Sequence, residues 1–417
     1  MVSVCFYFQV HQPYRLRKYG IFDIGNRRDY FSESGDNNLN NEKILRKVAD
    51  KCYIPATKVL LEIIKENPGF RVSFSFSGIV LEQLESYAPE ALDLFKQLVA
   101  TGNVEILDET YYHSISFLYD KEEFKRQVEM HRKKIQEVFG VTPRVFRNTE
   151  LIYNNELADF IDKMGYDGIL AEGADHILGW KSPHYVYSPL NSSIGLLLKS
   201  YKLSDDIAFR FSNQGWQSWP LKAETYAHWL SSINGSGEVI NLFMDYETFG
   251  EHQWSDTGIF EFMKALPGEF LKNPDNNFMT PSEVIKAYPK RGELDIHNFI
   301  SWADIERDLS AWMGNTMQHS ALKQIYELGK EITLTNDKKL IEDWRRLQTS
   351  DHFYYMCTKW FNDGDVHKYF NPYESPYDAF ISYMNALQDL KLRVEEIVRV
   401  DDREKDLDNV VKEVRVK

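Results

Sequence analysis

Residues 2–245 read as short apolar runs separated by helical patterns, and that alternation admits few folds. Helical patterns over 56–66, 91–100, 121–139 and 155–164 stop at Asn67-Pro68-Gly69, Gly102, Gly140 and Gly165. Such residues end helices because they take the left-handed turn or cannot continue the spiral. Each pattern precedes a short apolar run, at 72–76, 104–107, 145–146 and 168–171, and further strands are expected at 194–198, 207–211 and 238–244. Right-handed strand-helix units of this kind build a mostly parallel sheet. Seven or eight strands by about residue 245 predict an α/β fold of the TIM-like barrel type.

The first strand argues for a barrel rather than an open sheet, because alternate residues of a strand face opposite ways. Val2, Val4, Phe6, Phe8 and Val10 share an apolar face, whereas Ser3, Cys5, Tyr7, Gln9 and His11 share a small or polar one. Val72, Phe74 and Phe76 against Ser73, Ser75 and Ser77 repeat the scheme. A greasy face suits packing helices and a polar face suits a lumen. Beyond residue 300 the pattern turns to long helices at 304–332, 337–361 and 377–399, so a barrel over 1–300 and a helical domain over 301–417 are expected. The segment 173–213 is open between a lid and part of the barrel.

Charge and cysteine usage narrow the function classes. With 63 acidic against 49 basic residues, the formal net charge is −14, and no dense Lys/Arg run offsets it. A chain of that balance repels phosphate backbones and anionic bilayers, so neither a nucleic acid nor a membrane is an expected partner. The stretch 2–10 has no basic flank or small-residue cleavage site, and no run approaches the ~18 apolar residues of a membrane span. Cys5, Cys52 and Cys357 are scattered without CxxC spacing. These features predict a soluble cytoplasmic protein without a cysteine zinc site, and eleven histidines with no i,i+4 pair argue against a metal, so no metal or cofactor is expected; its oligomeric state is open.

Parallel barrels place their active sites where strands finish. His11, Glu105, Glu150 and Asp245 fall at such ends, and Glu247 lies two residues past Asp245. Carboxylates are costly to desolvate, so their repeated use at one rim points to chemistry. Aromatic side chains follow the same ends, among them Tyr246 and Trp254, with Trp302 and Trp360 in later loops. Flat rings beside paired carboxylates point to carbohydrate.

Four stretches, His11-Gln12-Pro13, Gly102-Asn103-Val104-Glu105-Ile106, Phe146-Arg147-Asn148-Thr149-Glu150-Leu151 and Met244-Asp245-Tyr246-Glu247-Thr248-Phe249-Gly250, resemble the first four sequence regions of glycoside hydrolase family 57. Ser350-Asp351, on a helix before Tyr354 and Trp360, resembles the fifth. The resemblance, closest to the α-amylase-like branch, implies an incomplete (β/α)7 barrel followed by helices that contribute to the substrate cleft. It also implies a retaining, metal-independent mechanism on α-glucans or maltooligosaccharides, with Glu150 as nucleophile and Asp245 as general acid/base. His11, Glu105, Glu247 and Asp351 would then line the sugar subsite beside the cleaved bond, with Tyr246, Trp254, Trp302 and Trp360 as further substrate contacts. Retaining chemistry needs one ionised and one protonated carboxyl about 5 to 5.5 Å apart. Arg147 and Asn148 are expected to keep Glu150 ionised, and the like charge of Glu247 to raise the pKa of Asp245. Three other readings compete: a 4-α-glucanotransferase with the same catalytic pair, a metal-dependent polysaccharide deacetylase, and a non-catalytic carbohydrate-binding protein.

Overall fold

The computed structural model describes residues 2–31, 35–359 and 366–415, with 399–415 as backbone alone. The chain divides into two compact units. The first comprises the segment up to Pro13, Glu42–His113 and Glu122–Leu309; the second comprises Tyr14–Asn41, Ser114–Lys121 and everything from Ser310 onward. The helical unit therefore begins later than residue 301 and draws in two early segments.

The first unit is a curled half-barrel of parallel strands. Its strands are β1 (Val2–Val10), β2 (Val72–Phe76), β3 (Val104–Ile106), β4 (Val145–Arg147), β5 (Gly168–Glu172), β6 (Gly195–Lys199), β7 (Val239–Asp245) and β8 (Asn276–Phe278). The order β3-β2-β1-β7-β6-β5-β4 makes a run of seven, and β8 pairs with β1 at Val2–Val4, below the Tyr7–Val10 stretch that pairs with β2. The two edges of the run meet at a bridge between Asp108 and Phe146, with Asp108 N–H donating to Val145 O at 3.0 Å and Arg147 N–H to Asp108 O at 2.8 Å. At the β6–β7 seam the ladder gives way to side chains: Asn241 Nδ2 donates to Leu198 O at 2.9 Å, and Ser204 Oγ accepts Phe243 N–H at 3.2 Å.

The two faces of β1 pack as its alternation requires. Val2, Val4, Phe6, Phe8 and Val10 join the core between sheet and helices, whereas Cys5 and Tyr7 join Leu107, Val145, Leu170, Leu197 and Phe243 in a separate core inside the lumen. The helix Pro281–Ala287 closes the N-terminal end of that lumen. A Cβ on Gly168 would lie 2.2 Å from Ile285 Cδ1, and one on Gly195 would lie 2.5 Å from Ile285 Cγ1, so glycines open β5 and β6 where the plug presses on them.

The expected strand at 207–211 is not one. Residues Tyr201–Ala208 are a helix, with Ile207 and Ala208 buried and Phe211 packed beyond its end, while Phe209 is 58% exposed. The spacing Leu203, Ile207, Phe211 is a four-residue period that the local alternation at 207, 209 and 211 mimics. The segment 173–213 thus supplies β6 and this helix.

The second unit is helical, from Ser310–Met313 through Thr316–Glu327, Lys338–Arg346 and Ser350–Tyr354 to Pro376–Arg415. Trp312, Trp344 and Tyr383 are fully buried in it. Trp344 Nε1 donates to Ile325 O at 2.8 Å and Tyr30 Oη to Asp389 Oδ2 at 2.5 Å, the latter tying the early segment to the last helix. No helix among the described residues is long and apolar enough to cross a membrane.

Candidate active site

Glu150 is delivered by a strained turn. After β4 the chain enters the short helical turn Thr149–Leu151, in which Glu150 has φ 59° and Leu151 φ 50°. Left-handed backbone costs a non-glycine residue roughly 1–2 kcal/mol, so two in succession persist only where surrounding bonds dictate them. Those bonds come from the segment 300–302. Tyr153 and Ile300 exchange two backbone bonds of 2.9 Å, and Trp302 N–H donates to Glu150 O at 3.1 Å. The turn presents the Glu150 carboxylate to two donors. Trp302 Nε1–H reaches Oε2 at 2.8 Å, and His113 Nε2 lies 3.4 Å from Oε1. Both suit a negative charge.

His113 is itself held from behind. Its Nδ1 lies 2.8 Å from Oε2 of the fully buried Glu109, whose Oε1 accepts Gln9 Nε2–H at 2.9 Å. Burial alone would raise the Glu109 pKa, but His113, Arg147 and His131 outweigh it and bring it down to about 2. Burial would likewise lower that of His113, but its bonds to Glu109 and Glu150 raise it to about 9. The His11 ring stacks on His113 with centroids 3.9 Å apart, and its Nδ1 is 2.7 Å from Ser77 Oγ.

Asp245 closes β7 and is partly exposed. Its pKa is raised to about 6, first by burial and then by Glu150, against Arg147, Lys199 and His113. The expected cause, Glu247, is not the one at work. Glu247 turns away through the short helix Tyr246–Thr248, accepts a hydrogen bond from Tyr53 Oη, and is raised to about 8 by burial and by Asp245. The like charge therefore acts chiefly on Glu247.

Arg147, fully buried in the lumen layer of β4, has no hydrogen-bond partner for any of its three nitrogens. Its guanidinium faces the Tyr7 and Trp302 rings, 5.9 and 4.9 Å from their centroids. A neighbouring cluster fixes the Trp302 loop. Lys199 lies 3.8 Å from Glu172 and 3.3 Å from Asp205, and Arg307 lies 3.5 Å from Glu172 and donates to Trp302 O at 2.5 Å.

Of the residues expected in the site, Glu150, Asp245, His11 and Trp302 come together, with Glu247 beside them. Glu105 does not join them. Its carboxylate accepts Ser282 N–H at 2.9 Å and the Ser282 hydroxyl, holding the plug helix at the opposite end of the lumen. The strand direction continues past it, so the rim is reached four residues later, at Glu109. Tyr246 is also displaced: it is fully buried behind the strands against Phe8, Phe74 and Phe95, with its hydroxyl 3.0 Å from Thr57 Oγ1. Trp254 is 58% exposed, with Lys51 Nζ 5.1 Å from its ring centroid. Asp351 lies in the helix Ser350–Tyr354 of the helical unit, and Trp360 lies outside the described residues. Sequence reading missed Glu109 and His113, and it expected Arg147 and Asn148 as the donors to Glu150, whereas Asn148 Nδ2 donates to Ile152 O and the donors are Trp302 and His113. Glu109 and Arg147 carry the inward parity of their strands, and that parity was the available signal. Among the described residues no three or more His, Cys, Asp or Glu side chains are arranged to hold a metal ion.

Comparison with known proteins bears on this geometry. The profile described as "Glycosyl hydrolase family 57" matches residues 5–297. A Methanocaldococcus jannaschii protein named "Putative alpha-amylase" is 44% identical over 407 residues, 95% of this chain and 85% of that one. "Alpha-amylase" of Pyrococcus abyssi is 23% identical over 69% of this chain, which spans only 43% of the longer relative. Among solved structures, 4-alpha-glucanotransferase from Thermococcus litoralis superposes with TM-score 0.63 at 18% identity, over 84% of this chain and 56% of that one. The branching enzyme TK1436 from Thermococcus kodakaraensis does so with TM-score 0.64 at 13% identity, covering 88% and 87%. At these identities the likeness is one of fold.

Proposed function

The chain belongs to glycosyl hydrolase family 57, and from that premise we propose that it is a retaining hydrolase of α-1,4-glucans, with Glu150 as nucleophile and Asp245 as general acid/base. The observation that carries this reading is the contrast between the two carboxyls. Glu150 is gripped by two N–H donors, while the partly exposed Asp245 has a pKa of about 6. Two carboxyls whose environments differ in this way can divide the roles of nucleophile and acid. In the first step a Glu150 oxygen attacks the anomeric carbon, the glycosidic bond breaks, and its oxygen takes the Asp245 proton. In the second, Asp245 removes a proton from water, water attacks the same carbon, and the bonding pair returns to Glu150. His11 and the exposed part of Trp302 are positioned to meet the sugar. The α-glucan substrate is supported by the names of the relatives.

Glu150→Gln tests the assignment. It should abolish turnover of a maltooligosaccharide series at unchanged thermal midpoint; substantial residual activity in a folded variant would refute it. Whether water or a second sugar accepts the glycosyl group is read from the product profile with and without added glucose, where longer products would favour a transferase.

A further inference from the structure

Resting on the reading of Glu150 as the attacking carboxylate, we infer that His113 is a positioning residue for that nucleophile, an imidazolium bridging Glu109 and Glu150 that fixes the carboxylate and speeds its departure from the sugar. Geometry sets the charge. Each ring nitrogen faces a carboxylate oxygen, Nδ1 at 2.8 Å from Glu109 and Nε2 at 3.4 Å from Glu150. A neutral imidazole would aim a lone pair at one of them, so a ring with two N–H groups fits both. The far end of the bridge is rigid. Gln9, which donates to Glu109, accepts Tyr7 Oη–H at 2.7 Å and Ser75 Oγ–H at 3.0 Å, so side chains of β1 and β2 together hold one carboxylate in place.

The charge matters unequally in the two steps. When the covalent intermediate forms, Glu150 loses its negative charge to the ester and Asp245 becomes ionised, leaving the imidazolium without half of its partners. When water displaces the ester, the electron pair of the broken bond returns to Glu150, facing His113 Nε2–H. A cation fixed at that oxygen favours the second step over the first, because it stabilises charge that develops there. The groups facing His113 are Glu109, Glu150 and His11 by direct contact, with Asp245 and Arg147 within electrostatic reach of this cluster.

The test uses α-maltotriosyl fluoride, whose leaving group needs no proton. Wild-type protein should release fluoride without a burst. His113→Gln should give a burst of about one equivalent, a glycosyl adduct on Glu150 by intact mass, and a steady state slower by about tenfold to a hundredfold, the range for losing one charge-assisted hydrogen bond. Its alkaline limb, near pH 9 in the wild type, should vanish. Glu109→Gln leaves the ring in place and should give a weaker burst with that limb moved to lower pH, which keeps the test decisive if His113→Gln does not fold. Equal slowing of both phases without an adduct, or an unmoved alkaline limb, in an active and folded protein would overturn the role of His113 alone. A wild type that cleaves neither the fluoride nor any α-glucan would instead overturn the functional reading, and this role with it.

Discussion

Asp245 and Glu247 stand two residues apart, yet the turn between them gives each its own environment. Asp245 remains partly exposed with a pKa of about 6, whereas Glu247 is 5% exposed and raised to about 8. The acid of the first step must be protonated, so with natural substrates kcat/KM should fall as pH rises through about 6. Asp245→Asn should lose maltooligosaccharide cleavage while still releasing fluoride from an α-glucosyl fluoride. Glu247→Gln should weaken both substrates alike, without moving the limb near 6 by much, because Glu247 already carries a proton there. Leaving-group dependence in Glu247→Gln and not in Asp245→Asn would reverse the two roles. Asp245 was legible in the sequence because it closes an apolar run, and Glu150 because it follows the short strand at Val145–Arg147, although the turn that delivers it was not. Their neighbours were not. Glu105 sits in the stretch that resembles a family region, but parity alone does not tell at which end of the lumen an inward residue stands. Tyr246 follows a strand end by one residue, which turns it to the outer face.

Elements are set by what presses on them, and the plug helix Pro281–Ala287 supplies a case. Gly195→Ala should destabilise the fold by about 1–3 kcal/mol, because the new methyl meets three atoms of Ile285 at 2.5–3.0 Å. Adding Ile285→Ala should relieve part of that cost, so urea denaturation of the two single variants and the double variant should show coupling above about 0.5 kcal/mol. Additive effects would mean that the plug does not bear on β6. Glu105→Ala belongs to the same element. It frees Ser282 at the start of the helix and should lower stability by about 1–3 kcal/mol, while leaving turnover near the wild-type value. A large loss of turnover at normal stability would return Glu105 to the sugar subsite. Strand and helix alternation was readable from periodicity. The helix Tyr201–Ala208 was misread because Ile207, Phe209 and Phe211 alternate locally while Leu203, Ile207 and Phe211 set the longer period. The three-residue β8 carries too few residues for any period to register.

For the molecule as a whole, a two-unit architecture was foreseeable from the change of texture near residue 300, but not that Tyr14–Asn41 and Ser114–Lys121 belong to the helical unit, since such membership rests on contacts between distant segments such as Tyr30 with Asp389. The buried charges also set how the whole fold answers to pH. Asp245 and Glu247 bind their protons more tightly when folded, about 6 against 3.8 and about 8 against 4.5, so their contribution is fully present below about pH 4 and is lost as pH rises toward 8. His113, at about 9 against 6.5, contributes below 6.5 and is lost as pH rises through 9. Glu109, at about 2 against 4.5, contributes above 4.5 and is lost as pH falls through 2. The first three lose their contributions in successive windows, Asp245 up to about 6, Glu247 up to about 8 and His113 up to about 9, so these groups should make stability decline from about pH 4 to pH 9, with Glu247 accounting for the largest part below pH 8. At about 1.4 kcal/mol per pKa unit its share is on the order of several kcal/mol. Glu247→Gln keeps an acceptor for Tyr53 and the shape of the protonated acid but cannot ionise. Urea unfolding at a series of pH values should therefore show the variant close to wild type at pH 5 and more stable at pH 8, with the slope between them flattened. An unchanged slope would mean that Glu247 reaches water or a counter-charge when it ionises, and that the desolvation which also raises its neighbour Asp245 is weaker than its burial implies.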